Sequence, residues 1–364
     1  MFKTAGIIFC ALVFLAGCST TPPQSPLNWQ DTNAVVKPIA IEINKPAVTI
    51  AKSNPPPAII SIPKPLPIAP VVTWASLGDW AVAHKTGALH LLSKTPVTTY
   101  AIGSSNGVMV LGIGTLGATW NGIEINLGFA PQMIDGEIFL NGLDLQKNLQ
   151  PLLCEPPIAF PQTNRVIVID PGHGGANLGT HSVLDGRFEK EFTLDWALRL
   201  KPLLETNGWT VFLTRTNDSY VTNADRVVFA EAHHADLFIS LHFNAPGNND
   251  AKANGLETYC ITPTGMPSTL TRTFSDVWSE QLPNNSFDAQ NLQLAVKLHS
   301  AILHGVGMED RGVRRSRFDT VLRGQNRPAI LIEGGYLSNP AEAKLIESAD
   351  YRQKLAEAVA NALK

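Results

Sequence analysis

The sequence predicts an α/β fold for its second half, with a mostly parallel central sheet flanked by helices and preceded by a small β-rich domain. Three observations lead to this prediction. Residues 166–169 form an all-apolar run typical of a strand covered on both faces, and helical patterns alternate with further runs of this kind. Upstream, Ile123, Ile125 and Leu127 alternate with polar residues, the pattern of a half-buried strand.

Length, charge and composition narrow the classes of protein that the chain can be. Its 364 residues suggest about two domains. The formal net charge of −3 provides no broad cationic surface, which excludes nucleic acid as a general partner. The 44% of hydrophobic residues suits a globular core and excludes wholesale disorder and a fold that crosses the membrane many times.

Residues 1–18 are typical of a bacterial export signal. Lys3 precedes an apolar stretch that is shorter than the ~20 residues of a membrane span and ends in small residues. The ending LAGC at 15–18 resembles a lipoprotein box, which implies that Cys18 becomes the lipidated N-terminus. An ordinary signal peptide with an incidental cysteine is the alternative. Because Ser19 follows, the resemblance implies a periplasmic protein held by its lipid in the outer membrane of a Gram-negative cell.

Two segments separate this signal from the α/β domain. Residues 19–70 are rich in proline and show no sustained period, so they predict an extended linker. Residues 71–153 hold short β-prone runs between glycines and predict a small β-rich module. Its stretch 120–153 resembles the copper-amine-oxidase N-terminal-like modules of secreted bacterial proteins, a likeness that implies no copper chemistry here. Support or ligand binding is its expected role.

Strand and helix patterns alternate over residues 165–364. Apolar runs predict strands at 166–169, 210–214, 237–241, 256–260 and 329–333. A helix is predicted from the apolar spacing that starts at Phe192 until Asn207-Gly208 stops it, a second over 225–234, and a third from Pro340 after the N-cap residue Asn339. Because the carboxyl ends of parallel strands meet at one edge of a sheet, a site is expected on the loops there.

Two histidines and two glutamates fall near these strand ends. His173 follows the first strand in IDPGHGG, His242 ends the third in ISLHFNA, and Glu333 ends a later one in ILIEGGY. Glu189 begins the helix after the first strand. Two imidazoles and a carboxylate make an open three-ligand zinc site, and a second carboxylate can be the base that activates water. A phosphate-binding loop at PGHGG is disfavoured because the Walker ending is missing.

The motifs around these residues resemble the zinc-dependent N-acetylmuramoyl-L-alanine amidases of the amidase-3 family. They follow in family order: VIVIDPGHGG, FEKEFTLDWA, VFLTRTND, ADRVVFAEAHHADLFISLHFNA, GLETYC, DRGVRRSRF and RPAILIEGGYLSNPAEA. The resemblance implies one Zn²⁺ per chain bound by His173, Glu189 and His242, with Glu333 as the catalytic glutamate. It implies hydrolysis of the amide bond between N-acetylmuramic acid and L-alanine of the stem peptide in peptidoglycan.

The sequence also suggests residues around the site that contact the substrate. Asn244 and Arg311 are the expected substrate contacts. Arg311 belongs to a basic run with Arg314, Arg315 and Arg317, which either contacts the carboxylates of the stem peptide or is a solvated face. The family often has Asp-Pro-Gly-Ala where this chain has NLGT at 177–180, and we expect this departure to touch none of the four site residues. Residues 262–288 form a long excursion, interpreted as a binding rim or lid or as a disordered insertion.

Several histidines and cysteines are expected to have no role in catalysis or metal binding. Surface roles are expected for His181, His233 and His234. Cys154 and Cys260 either form a disulfide or are two separate small apolar residues. Neither cysteine has the paired spacing of a cysteine-based zinc site.

Two other functions compete with the amidase. A different zinc hydrolase on the same framework, acting on a free peptide or an ester, uses the same site chemistry. From another class, the chain could be a wall-binding lipoprotein with an inactive hydrolase domain. The presence of all four site residues argues against lost activity, and the sequence leaves open whether an activator protein is needed.

Overall fold

The structure is a computed structural model that describes residues 73–246, 250–270, 276–317 and 320–364. The predicted signal at 1–18, with the lipidation site Cys18, and the predicted linker at 19–70 lie outside the described residues. Within the described ranges, no helix combines the length and the apolar character needed to cross a bilayer.

Short antiparallel strands dominate the N-terminal described segment. They are β1 Trp74–Ser76, β2 His90–Ser93, β3 Thr99–Ser104, β4 Gly107–Gly112, β5 Gly117–Trp120, β6 Ile123–Asn126, β7 Gln132–Ile134 and β8 Glu137–Asn141. Strands β2 to β6 form an antiparallel meander, whereas β1, β8 and β7 form a separate sheet. The helices here are α1 Leu77–Ala83, α2 Gly142–Asp144, a π-helical turn Leu145–Leu149 and α3 Gln150–Leu153.

Strands and helices alternate in the C-terminal part, as the sequence predicts. The strands are β9 Val166–Pro171, β10 Thr210–Leu213, β11 Leu237–Asn244, β12 Leu256–Ile261, β13 Asp310–Ser316 and β14 Ala329–Tyr336. The helices are α4 Glu189–Thr206, α5 Asn223–Ala232, a 3₁₀ turn Pro283–Phe287, α6 Asp288–Val306, α7 Thr320–Arg323, α8 Pro340–Glu347 and α9 Ala349–Ala362. Helix α8 begins as expected, because the Asn339 side chain accepts from two backbone N–H groups of its first turn.

The predicted α/β architecture is confirmed. The C-terminal strands lie in the order β10-β9-β11-β14-β12-β13, and every neighbouring pair is parallel except β14 with β12. Helices cover both faces of this sheet: α4, α6 and α9 pack over one face, while α5 and α7 pack over the other. Because β9 contributes Ile167 and Ile169 to one core and Val168 to the other, its residues 166–169 are all apolar.

The β-rich segment and the α/β part share one sheet. Strand β6 pairs in parallel with β13 through Ile125 and Val313, which extends the C-terminal sheet into the meander. Beside this pair, the Glu124 N–H donates to Oδ2 of Asp310 at 2.9 Å. The sheet is therefore continuous across the stretch in which the sequence places a domain boundary.

The two cysteines remain separate. Cys154 is exposed after α3, Cys260 is buried in β12, and no disulfide joins them. Of the two interpretations of the sequence, the structure therefore favours two separate residues over a disulfide.

Candidate metal centre and active site

The three predicted metal ligands come together at the edge of the sheet. His173 Nε2 lies 2.9 Å from Oε2 of Glu189, and His242 Nδ1 lies 2.9 Å from Oε1 of the same carboxylate. One ligand atom from each side chain falls within 4.8 Å of the others. Within the described ranges, these residues are the one group of His, Cys, Asp and Glu side chains arranged to hold a metal ion.

The Glu189 carboxylate is buried at the first turn of α4. Besides the two imidazoles, it accepts the backbone N–H groups of Thr180 and Phe243, each at 3.0 Å. Burial by itself raises the pKa of Glu189, but the hydrogen bonds from His173 and His242 outweigh burial and hold the pKa below its ordinary value. The side chain is therefore an anion, the form that binds metals.

The loop that carries His173 is backed by a side chain that the sequence analysis placed away from the site. His173 has a φ of +62°, a left-handed conformation that is uncommon for a residue with a side chain. Its Nδ1 lies 2.9 Å from Oδ1 of Asn177, which fixes the ring with Nε2 toward Glu189. The expectation that the NLGT departure touches none of the four site residues is wrong, because Asn177 contacts His173 directly.

Two glycines allow the ligands to approach each other. A Cβ at Gly172 lies 2.3 Å from the His242 ring, and one at Gly179 lies 2.5 Å from Oε2 of Glu189. Gly179 also has a φ of +70°. Neither position accommodates a side chain while the histidines and the carboxylate hold these places.

Arg226 supports the His173 loop from beneath. Its guanidinium is 2% exposed, pairs with the buried Asp170 carboxylate, and donates to the carbonyl oxygens of Pro171 at 3.0 Å and His173 at 2.7 Å. The motif ADRVVFAEAHHADLFISLHFNA contains Arg226 but does not indicate this role. Its ion pair joins two segments 56 positions apart, so no local pattern reveals it.

Arg215 adds a second support to the same loop. It donates to the carbonyl oxygens of Pro171 at 3.0 Å and Gly172 at 2.8 Å. Burial, followed by the neighbouring Arg226 charge, lowers the pKa of Arg215 to about 10, so it remains a cation at neutral pH. The two arginines thus bind three successive carbonyl groups and orient the His173 ring.

We expect Arg226→Ala to destabilise the fold by about 3 kcal/mol, because it leaves the Asp170 carboxylate buried without its cation. The free energy of unfolding is measured by denaturant titration. The matched control is Arg199→Ala, which removes a surface pair with Asp195 and costs less than about 1 kcal/mol. Equal stability losses in the two variants contradict the support assigned to Arg226.

Glu333 lies beside the ligands on the neighbouring strand. On β14 it pairs in register with His242 of β11 and, on its other side, with Glu257 of β12. Residues opposite each other in a ladder face the same side of a sheet, so the three side chains form a row across three strands. Glu333 is 8% exposed, which places its carboxylate in the wall of the site and largely out of water.

Glu257 organises the predicted substrate contacts. Asn244 Nδ2 donates to Oε2 of Glu257 at 2.8 Å, and Arg311 Nε donates to Oε1 at 3.2 Å. All three line a cavity of about 770 Å³, together with Arg314 and Tyr336. Burial and the Glu257 charge raise the pKa of Tyr336, so its hydroxyl stays protonated.

Sequence reasoning missed Glu257, because it enters the site from an unexpected direction. Strand β12 runs antiparallel to β14, so its amino end lies at the edge where β9, β11 and β14 end. A search restricted to carboxyl ends of strands passes over such a residue. The motif GLETYC around Glu257 was the signal that could have drawn attention to it.

The four arginines of the basic run lie in two different environments. Arg311 and Arg314 line the cavity, whereas Arg315 and Arg317 are 3% and 1% exposed. Arg315 donates to the Lys147 carbonyl at 3.1 Å, and Arg317 pairs with Asp276 at 2.5 Å. Arg315 and Arg317 therefore stabilise the fold. They neither form a solvated face nor line the cavity.

The three histidines with expected surface roles stay apart from the candidate metal ligands. His181 and His234 are exposed, while the His233 ring packs on the rings of Phe212 and Phe229. None of them joins the ligand group, in keeping with the roles expected from the sequence.

The excursion after β12 folds back along the sheet. The Thr269 N–H donates to the Arg315 carbonyl at 2.9 Å, and the neighbouring Leu270 lines the 770 Å³ cavity. Residues 271–275 of this excursion lie outside the described residues. The described part of the predicted rim thus reaches the cavity next to the site.

Comparison with known proteins agrees with the motifs. Residues 167–364 match the family described as Amidase_3, N-acetylmuramoyl-L-alanine amidase. The N-acetylmuramoyl-L-alanine amidase AmiA of Escherichia coli (strain K12) is 30% identical over 217 residues, which are 54% of this chain and 74% of that protein. The N-acetylmuramoyl-L-alanine amidase LytC of Bacillus subtilis (strain 168) is 31% identical over 200 residues, which are 55% of this chain.

Coverage of the relatives is partial. The chain spans 35% of LytC and 59% of the cell wall amidase LytH of Staphylococcus epidermidis. Among solved structures, an N-acetylmuramoyl-L-alanine amidase from Clostridium difficile 630 aligns with a TM-score of 0.46 and 31% identity, covering 55% of this chain and 95% of that chain.

Proposed function

Since the chain belongs to the Amidase_3 family of N-acetylmuramoyl-L-alanine amidases, we propose that it hydrolyses the amide bond between N-acetylmuramic acid and L-alanine in peptidoglycan. The observation that carries this proposal is the convergence of His173, Glu189 and His242, with Glu333 in register beside them. Hydrolysis of an amide at neutral pH needs an electrophile and a base, and this edge of the sheet supplies the groups for both.

The donor set fits one zinc ion per chain. Two imidazole nitrogens and a carboxylate, with ligand atoms within 4.8 Å of one another, are the set that zinc takes in open catalytic sites. His173, Glu189 and His242 hold the ion in this proposal. Zn²⁺ supplies a Lewis acid that activates water and polarises the amide carbonyl.

Glu333 is the proton-transfer group of the proposed reaction. Its carboxylate accepts the proton of the attacking water and then donates that proton to the departing nitrogen of L-alanine. The neighbouring strand holds it in register with His242, so base and ligands keep a fixed relation through the backbone ladder. Its low exposure limits competition from bulk water.

Asn244 and Arg311 are the proposed substrate contacts. Both side chains are held by Glu257, which fixes their heads at the wall of the 770 Å³ cavity. The cavity lining carries two arginines against one carboxylate. A local cationic excess of this kind favours the free carboxylates of a stem peptide.

The location of the enzyme in the cell is a proposal from the sequence. The signal at 1–18 exports the chain, Cys18 carries the lipid, and the proline-rich residues 19–70 span the distance from membrane to wall. This arrangement places the catalytic domain in the periplasm, anchored to the outer membrane. Metabolic labelling with a radioactive fatty acid tests it: wild-type protein incorporates label and Cys18→Ala does not.

The proposed reaction is tested on purified sacculi. We expect the zinc-loaded protein to release new alanine amino termini without new reducing sugar ends, because only the amide is cut. Removing the metal with a chelator stops the release, and adding Zn²⁺ restores it. Reducing ends in place of amino termini, or release that is indifferent to chelation, contradict the proposal.

A further inference from the structure

The face of the sheet that carries Glu333 continues past the α/β part. Leu331 of β14 and Tyr259 of β12 belong to the core on that face, and Tyr259 pairs with Arg314 of β13. Because Val313 pairs with Ile125 and both are buried on the opposite face, the residues beside them point the other way. Arg314 and the β6 side chains next to Ile125 therefore share the face of the site.

A groove of about 340 Å³ lies on this shared face of the meander. Thr99, Thr119, Glu124 and Asn126 line it, and Arg314 lines both this groove and the 770 Å³ cavity. Thr119 and Glu124 are direct partners in the β5–β6 ladder, which confirms that they share the face. The two concave regions are therefore neighbours on this face and share the Arg314 side chain.

Charge and polarity change along this path. Arg314 Nε lies 3.8 Å from Oε1 of Glu257, and its guanidinium is partly exposed at the junction. Beyond it, the groove lining combines the hydroxyl and amide groups of Thr99, Thr119 and Asn126 with the apolar side chains of Val97 and Val110. A peptide, with carboxylates near the arginines and amide groups farther on, complements this sequence of surfaces.

Distances along the sheet relate this path to chain length. Strand β13 is two strand spacings from β14, about 10 Å, and β5 is four spacings away, about 19 Å. An extended peptide advances about 3.4 Å per residue. A tripeptide stem that starts at Glu333 thus ends near Arg314, and only a longer, cross-linked peptide reaches Thr119.

From these observations we infer that the groove on β3 to β6 binds the second peptide of a cross-linked stem, so that the enzyme favours cross-linked peptidoglycan over single short stems. The inference rests on the proposed function and deepens it. The meander is then an extension of the substrate cleft, and its union with β13 keeps groove and catalytic edge in one sheet.

The test fills the groove with Thr119→Trp. Aromatic residues are well tolerated in strands, and the ring occupies the groove without touching the metal ligands. We expect the ratio of kcat/KM for a cross-linked dimer to kcat/KM for a tripeptide monomer to fall about tenfold. The matched control is Thr210→Trp, an exposed position on β10 at the other end of the same sheet, which keeps the wild-type ratio.

A binding measurement separates this inference from the proposed reaction. In the Glu333→Ala background, Thr119→Trp should lower cosedimentation with intact sacculi, and Thr210→Trp should not. Undiminished binding by the Thr119→Trp variant, or an unchanged ratio of the two kcat/KM values, contradicts the inference that the groove binds the second peptide. Absence of alanine amino termini with the wild-type protein overturns the proposed function instead, whatever the sedimentation shows.

Discussion

Glu333→Ala is expected to lower hydrolysis of muropeptides by about 10³-fold while zinc stays near one ion per chain. General acid–base groups contribute roughly 10²–10⁴-fold to rates, and Glu333 is the carboxylate in register beside His242 that is not shared between the histidines. The measurement is kcat/KM on a defined muropeptide, together with metal content by mass spectrometry.

The control for this variant is Glu137→Ala, which removes an exposed carboxylate on β8 far along the chain from the site. It should keep both activity and zinc. Full activity of Glu333→Ala contradicts the role of Glu333 as the base. Loss of zinc together with activity assigns Glu333 to metal binding and equally contradicts the proposed division of labour.

Glu189→Ala is expected to reduce zinc content to below about one tenth of an ion per chain and to remove activity. This carboxylate lies between His173 and His242, so its loss deletes one of the three proposed ligands and the group that contacts the other two. Metal content after dialysis against a defined Zn²⁺ buffer is the measurement, with circular dichroism to show that the fold persists.

Glu191→Ala is a close control for the Glu189 variant, because it lies two positions later in the same helix. The Glu191 carboxylate accepts the Phe188 N–H at 3.1 Å and caps α4. Its loss should cost about 1 kcal/mol of stability and leave zinc in place. Retention of zinc by Glu189→Ala, or its loss from Glu191→Ala, contradicts the ligand assignment.

Local pattern was sufficient for the elements that carry the site. Strands β9, β11 and β14 are short apolar runs, and their order along a parallel sheet places His173, His242 and Glu333 at one edge. The cap at Asn339 was equally readable, since an N-cap residue followed by proline has a local physical cause.

Long-range pairing was beyond local pattern. Glu257 reaches the site because β12 pairs antiparallel with β14, a strand far along the chain. The Asp170–Arg226 ion pair supports the His173 loop, and its two residues are 56 positions apart. The union of β6 with β13 depends on one pair of apolar residues that resemble any other strand residues. Buried and exposed arginines of one basic run likewise look alike in sequence.

Asn177 shows how a departure from a family pattern is misjudged from sequence. Four positions separate it from His173, and its amide oxygen nonetheless lies 2.9 Å from the ring nitrogen because the glycine-rich turn folds back on itself. In this chain, the side-chain contact to the His173 ring comes from Asn177, a position at which the sequence differs from the family pattern. The turn geometry, which depends on several positive φ angles, was needed to see it.

Mass spectrometry of the products from one cross-linked muropeptide preparation tests the central claim most directly. The zinc-loaded protein should yield free stem peptides that begin with L-alanine and intact disaccharides that retain the lactyl group of muramic acid. Products cut within the peptide or within the glycan contradict the amidase and leave the metal centre with a different substrate.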